Sequence, residues 1–150
     1  MTEQEKYMKA ALKLAQKAAD EGEVPVGAVV VHEGNIVARA RNERETTGDP
    51  TAHAEVLALR RAAAALGRRR LKGCTLVVTL EPCPMCAGAI AMSGIDEVLF
   101  GAYDPRCGCA GSLYNLPEDA AFGRVIPCSG GLLEAECQGV LDAFFDSKRG

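Results

Sequence analysis

Two short segments restrict the fold more than anything else in the chain: His53-Ala54-Glu55 and, after 26 intervening residues (56–81), Pro82-Cys83-Pro84-Met85-Cys86. Cys83 and Cys86 are three apart at a predicted helix start, so both sulfurs lie on one side of a first turn and reach one ion. His53 comes from the start of a different helix. A chain that uses all three residues must therefore bring two helix N-termini together. Their partial positive charge lowers cysteine pKa and favours the metal-binding thiolate.

One imidazole and two thiolates make three zinc ligands and leave the fourth tetrahedral position to water, whereas a structural zinc takes four protein ligands. The local sequence offers no fourth ligand. Water held at such a position ionises with a pKa of roughly 7, so a hydroxide nucleophile becomes available near neutrality. Glu55, two residues from His53, diverges from it on a regular helix and cannot reach the ion by the same route. The expectation is that Glu55 stands beside the water position and moves protons without ligating the metal.

A chain of 150 residues is the size of one domain, and residues 1–150 read as one, with no repeat and no linker. Hydrophobic residues at 48% and charged residues at 25% exclude intrinsic disorder. No apolar run approaches the ~20 residues of a membrane helix, and Met1 to Glu21 lacks a signal peptide's apolar core, so the expected location is cytoplasmic with no membrane contact. Seven cysteines are an odd number, and two of them form the Cys-x-x-Cys, so reduced thiols are expected. A net charge of −3 gives no global attraction to nucleic acid. The stretch from Val56 to Gly73 is nonetheless free of acidic residues and holds Arg60, Arg61, Arg68, Arg69, Arg70 and Lys72, either a phosphate-contacting rim or a solvated helix end and loop.

Apolar residues at spacings of three and four, from Tyr7 to Ala19, predict a first helix ended by Gly22. Val24 to Val31 and Ile36 to Asn42 predict a hairpin around the turn His32 to Asn35, followed by a polar loop over Glu43 to Gly48. Asp49-Pro50 reads as the N-cap and first position of a helix running through His53 to about Leu66. Cys74 to Leu80 predicts a strand, Pro84 to Met92 a helix broken by Gly94, and Ile95 to Phe100 a strand. Arg124 to Cys128 predicts a fifth strand and Gly131 to Phe145 a final helix. Alternating strands and helices predict a three-layer α/β/α sandwich, and the hairpin requires its sheet of about five strands to be mixed.

With those motifs the chain resembles the cytidine deaminase superfamily, whose signature is His-x-Glu followed by Pro-Cys-x-x-Cys. It is most similar to the bacterial tRNA-specific adenosine deaminases. The resemblance covers Glu23 to Val29, Asn42, Asp49 to Glu55, Thr79 to Ala89, Phe100 to Asp104 and Ala110 to Leu113. It implies a cytidine deaminase-like fold and one Zn2+ per subunit on His53, Cys83 and Cys86. It makes Glu55 the catalytic proton carrier for hydrolysis of adenosine to inosine at the wobble position of a tRNA anticodon. It also implies that Asn42 and Asp104 contact the flipped base and its ribose, that Ala54, Pro25 and Val26 shape the base pocket, and that the enzyme is a homodimer.

Departures from the family pattern are confined to the C-terminal third. Ala121-Phe122-Gly123-Arg124-Val125 stands where an Asn-His-Arg sequence is common, and Cys107 and Cys109 are thiols outside the pattern; with Cys128 they read as packing or incidental thiols, the alternative being a second metal site. Three functions share the zinc motif: an RNA-editing deaminase, a deaminase of a free base such as guanine or cytosine, and a silent zinc-stabilised subunit that binds RNA or a partner. The first needs a basic rim around the pocket. An intact Glu55 argues against the third.

Overall fold

The computed structural model describes residues 1–149. Its elements follow the order α1 (Glu3–Asp20), β1 (Gly27–His32), β2 (Asn35–Arg41), α2 (Arg44–Thr47), α3 (Ala54–Leu66), β3 (Cys74–Leu80), α4 (Pro84–Ser93), β4 (Glu97–Ala102), β5 (Cys128–Ser129) and α5 (Glu134–Arg149). Thr2 and Glu5 form a capping box that starts α1 earlier than apolar periodicity alone indicates. The sheet has five strands in the order β2-β1-β3-β4-β5. β1 pairs antiparallel with β2 and β3, and the β3–β4 and β4–β5 pairs are parallel, so the sheet is mixed as expected.

β1 is valine-rich because it is covered on both faces. Ala28 and Val30 face a core shared with Ala58, Leu59 and Ala62 of α3 and Ile90 of α4, whereas Val29 and Val31 face Met8 and Ala11 of α1. β4 alternates in the same way, with Val98 and Phe100 on the α3–α4 side and Leu99 on the side of α5's Cys137 and Leu141. The result is the α/β/α sandwich, with α1 and α5 on one face and α3 and α4 on the other. Fully burying a side chain such as Val30 or Leu76 stabilises the fold by about 1.5–3 kcal/mol. Among the described residues no helix is long and apolar enough to cross a membrane.

Four sequence expectations are corrected here. The helix expected from Asp49-Pro50 begins at Ala54, with His53 as its extended N-cap. Asp49 instead folds a local turn, its Oδ1 accepting from the Thr51 amide at 2.8 Å and the Thr51 hydroxyl at 2.7 Å. Within the expected polar loop lies the short helix α2, whose Glu45 and Thr46 amides both donate to the buried Glu23 carboxylate. The fifth strand is not Arg124 to Cys128 but Cys128–Ser129, because Ile126 donates to Pro117 O and Pro127 has no amide hydrogen; pairing starts with Val98 donating to Pro127 O. α5 starts at Glu134, after positive φ at Gly131 and Leu133, and runs beyond Phe145 to Arg149.

Candidate metal centre and substrate pocket

β3 delivers Cys83 just beyond its C-terminal end, where Cys83 becomes the N-cap of α4 and Pro84 its first residue. α3 packs beside α4 with His53 at its own N-cap, so both metal-binding segments end at helix starts. Neither side chain caps its own helix, which leaves both to face the cluster. His53 Nδ1 lies 3.6 Å from Cys83 Sγ and 3.5 Å from Cys86 Sγ. A tetrahedral ion with Zn–S of about 2.3 Å and Zn–N of about 2.0–2.1 Å sets its nitrogen and sulfur ligands roughly 3.6 Å apart. The donor set and spacing therefore fit zinc.

His53, Cys83 and Cys86 form a three-ligand group whose donor atoms lie within 4.8 Å of one another, and among the described residues no fourth histidine, cysteine or carboxylate belongs to it. Glu55 stands outside the group yet is buried at 4% exposure in the first turn of α3. His53 occupies an extended cap and Glu55 the first helical turn, so the two do not share one helical backbone geometry.

Burial is the largest influence on Glu55 and pushes its carboxyl up to about 7, the range of a group that takes and returns protons near neutrality. Side-chain hydrogen bonding to Cys86 holds the Cys83 thiol down to about 4, and the same contact, together with burial, drives Cys86 upward. A metal cation held here would favour the thiolate form of both sulfurs. His53 is raised, chiefly by its contact with Cys83.

Around the cluster opens a cavity of about 660 Å³. Of the residues expected to touch substrate, Val26, Asn42, Ala54 and Asp104 line it; Pro25 is buried behind the wall and Val24 takes its place. Asn42 Nδ2 donates to Val24 O at 3.3 Å, and its Oδ1 accepts from the Arg44 amide at 3.3 Å. Asp104 Oδ1 accepts from the Arg106 amide at 3.0 Å, and Cys107 Sγ donates to its Oδ2 at 3.1 Å. Cys107 is exposed on the wall and is not a packing thiol, whereas Cys109 is buried and Cys128 half-buried, its thiol pushed up to about 12 by burial.

The basic stretch does not rim this cavity as a unit. Arg68 donates to Arg70 O and Lys72 O and approaches His32, which pairs with Cys74 at the start of β3. That is the far end of a strand of roughly 20 Å from the metal cluster. The cavity's cations are instead Arg44, Arg106 and Arg149, joined by Tyr103 and Phe145. Arg44 and Arg106 were reachable by their proximity to Asn42 and Asp104. No local pattern announced the α5 residues, whose place depends on how the chain returns to β4.

The sequence profile of the cytidine and deoxycytidylate deaminase zinc-binding region matches residues 1–102, a span that contains His53, Glu55, Cys83 and Cys86. The chain belongs to this deaminase family. Within the family it is 53% identical over 149 residues to the tRNA-specific adenosine deaminase of Bacillus subtilis strain 168, covering 99% of this chain and 92% of the relative. A solved tRNA:A34 deaminase, described for A-to-I editing at the wobble position, superimposes with a TM-score of 0.87 at 40% identity, over 91% of this chain and 99% of that one. A guanine deaminase from Nitrosomonas europaea superimposes with a TM-score of 0.81 at 27% identity, over 93% and 83%. The deaminase fold thus recurs in enzymes of different substrates.

Proposed function

We propose that this deaminase hydrolyses adenosine to inosine at the wobble position of a tRNA anticodon, releasing ammonia. The observation that carries the reading is the cavity: it begins at His53, Cys83 and Glu55 and extends past Asp104 to a wall bearing Arg44, Arg106 and Arg149. A free base needs only the inner part, whereas the outer cations suit the phosphates of a polymer. The similarity to tRNA-specific adenosine deaminases over nearly the whole chain supports the same substrate.

His53, Cys83 and Cys86 would hold one Zn2+ per subunit, which supplies a Lewis acid and an open coordination position for water. Glu55 takes one proton from the attacking water as its oxygen bonds to adenine C6 and passes it to the ring nitrogen; it then takes the second from the new C6 hydroxyl and passes it to the amine as the C6–N bond breaks. Water and adenosine thereby give inosine and ammonia with no other reactant. Asn42 and Asp104 hold the extruded nucleotide through its base edge and ribose, since a flipped base is read by hydrogen bonds. Ala54 and Val26 enclose the base, and Pro25 supports the wall behind them.

The working enzyme is a cytoplasmic homodimer of one-domain subunits. Exposed apolar side chains at Met92 (83%), Tyr114 (76%) and Phe122 (60%) support a subunit contact. Incubating the zinc-loaded protein with an anticodon stem-loop bearing wobble adenosine, and separately with free adenine, guanine, cytosine and their nucleosides, tests the substrate. Inosine in the stem-loop alone is expected; ammonia from a free base without RNA turnover would replace this reading by a free-base deaminase.

A further inference from the structure

Glu81 has no part in the chemistry above, yet it is a carboxylate at 2% exposure beside the pocket. Its Oε1 accepts from the Asp104 amide at 2.9 Å and from the Ser112 hydroxyl, and its Oε2 accepts from the amides of Ala110 at 3.1 Å and Ser112 at 2.8 Å. All four donors belong to one loop, 23 to 31 positions further along the chain. The neighbouring backbone completes the attachment: Glu81 N donates to Ala102 O at 2.9 Å and Cys109 N to Pro82 O at 2.8 Å. Gly108 passes so close to the carboxylate that any β-carbon there would collide with it.

A desolvated carboxylate is costly unless its lone pairs are matched, and here a single loop matches them. That loop carries Tyr103, Asp104, Arg106 and Cys107 on the pocket wall. We infer that Glu81 is a positioning residue: its buried carboxylate fixes the 103–112 loop and thereby sets Asp104 and Arg106 against the nucleotide that flanks or carries the reacting base. Glutamine has nearly the same shape but offers one acceptor oxygen and two new hydrogens. It therefore sets an N–H against at least one loop donor and releases part of the wall. The zinc ligands, seated on α3 and α4, stay in place.

The kinetic part of this inference rests on the tRNA-editing reading; its structural part does not. Two measurements on the full-length, zinc-loaded protein separate them. In the absence of RNA, E81Q is expected to speed hydrogen exchange at the Asp104, Ala110 and Ser112 amides about tenfold or more, with Val98 and Leu99 unchanged. Unchanged exchange at the three loop amides would overturn the inference whatever the substrate. With a wobble-adenosine stem-loop, E81Q is expected to keep its zinc, raise KM about tenfold or more and hold kcat within about threefold. Loss of zinc, or a fall in kcat with KM unmoved, would mark Glu81 as support for the metal centre and overturn its role at the wall. Should E81Q not fold, S112A removes one hydroxyl donor and leaves three amides on the carboxylate. It is expected to raise KM about two- to fivefold with zinc and kcat retained, and an unmoved KM would count against the inference.

Discussion

Gly101 on β4 and Cys137 on α5 approach so closely that a β-carbon at position 101 would overlap the Cys137 sulfur. The seat of α5 on the sheet depends on that missing methyl group, and α5 supplies Phe145, Asp146 and Arg149 to the pocket. G101A is expected to destabilise the protein by about 1–3 kcal/mol, the usual cost of overpacking. Adding C137A should return part of the loss, because the sulfur is the nearest obstacle while Thr79 O remains. A denaturant-unfolding double-mutant cycle reads the coupling directly, and strictly additive effects would contradict the packing argument.

The three ligands also predict a metal dependence. H53A is expected to retain less than about a tenth of the zinc bound by wild type, because two thiolates alone leave the ion half-ligated. Chelation of the wild-type protein should lower its Tm and abolish turnover, since the site binds the folded state alone. Metal analysis and a thermal melt before and after chelation check both points. Full activity after zinc removal would eliminate the proposed chemistry.

Glu55 predicts a split between binding and catalysis. E55Q is expected to keep zinc and lose about 10²–10⁴-fold in turnover. With the Glu55 carboxylate as the proposed proton acceptor, kcat/KM is expected to rise with pH while Glu55 deprotonates and to flatten above its pKa. Its surroundings, burial foremost, put that pKa at about 7, and a bound zinc cation favours the carboxylate, so the acid limb should have its midpoint at or below 7. A pH–rate profile that falls between pH 5 and 7 would contradict this role.

How far these sites were readable beforehand varied with the locality of their causes. His53, Cys83 and Cys86 declare themselves through residue type and spacing, and each lies within a residue or two of a helix start that proline or helix periodicity marks. The misplacement of the start of α3 has a local cause as well: Asp49 can cap either a helix or a turn, and Thr51 captured it for the turn. The fifth strand failed for a different reason. Pairing with β4 starts only where Val98 N donates to Pro127 O, a fact of register invisible in residues 124–128. Glu81 and Glu23 read as unremarkable acids because their donors, at 104–112 and 45–46, converge on them only after folding.

The charge pattern supplies the last prediction, and it favours the solvated helix end and loop over the phosphate rim for the basic stretch. Arg68 and Arg70 form the densest cationic run, but Arg68 is spent on backbone carbonyls near the start of β3, at the far end from the metal cluster. Arg44 and Arg106, isolated in the sequence, are exposed on the pocket wall. If RNA phosphates meet the protein at this wall, each of these two arginines neutralises about one phosphate and releases its counterions. R44A and R106A should each reduce the slope of log(kcat/KM) against log[salt] for a stem-loop substrate by about 0.7–1, and the double variant by about twice that. R68A and R70A should leave the slope within error of wild type. A slope that responds to Arg68 and Arg70 but not to Arg44 and Arg106 would move the RNA path to the opposite end of the sheet.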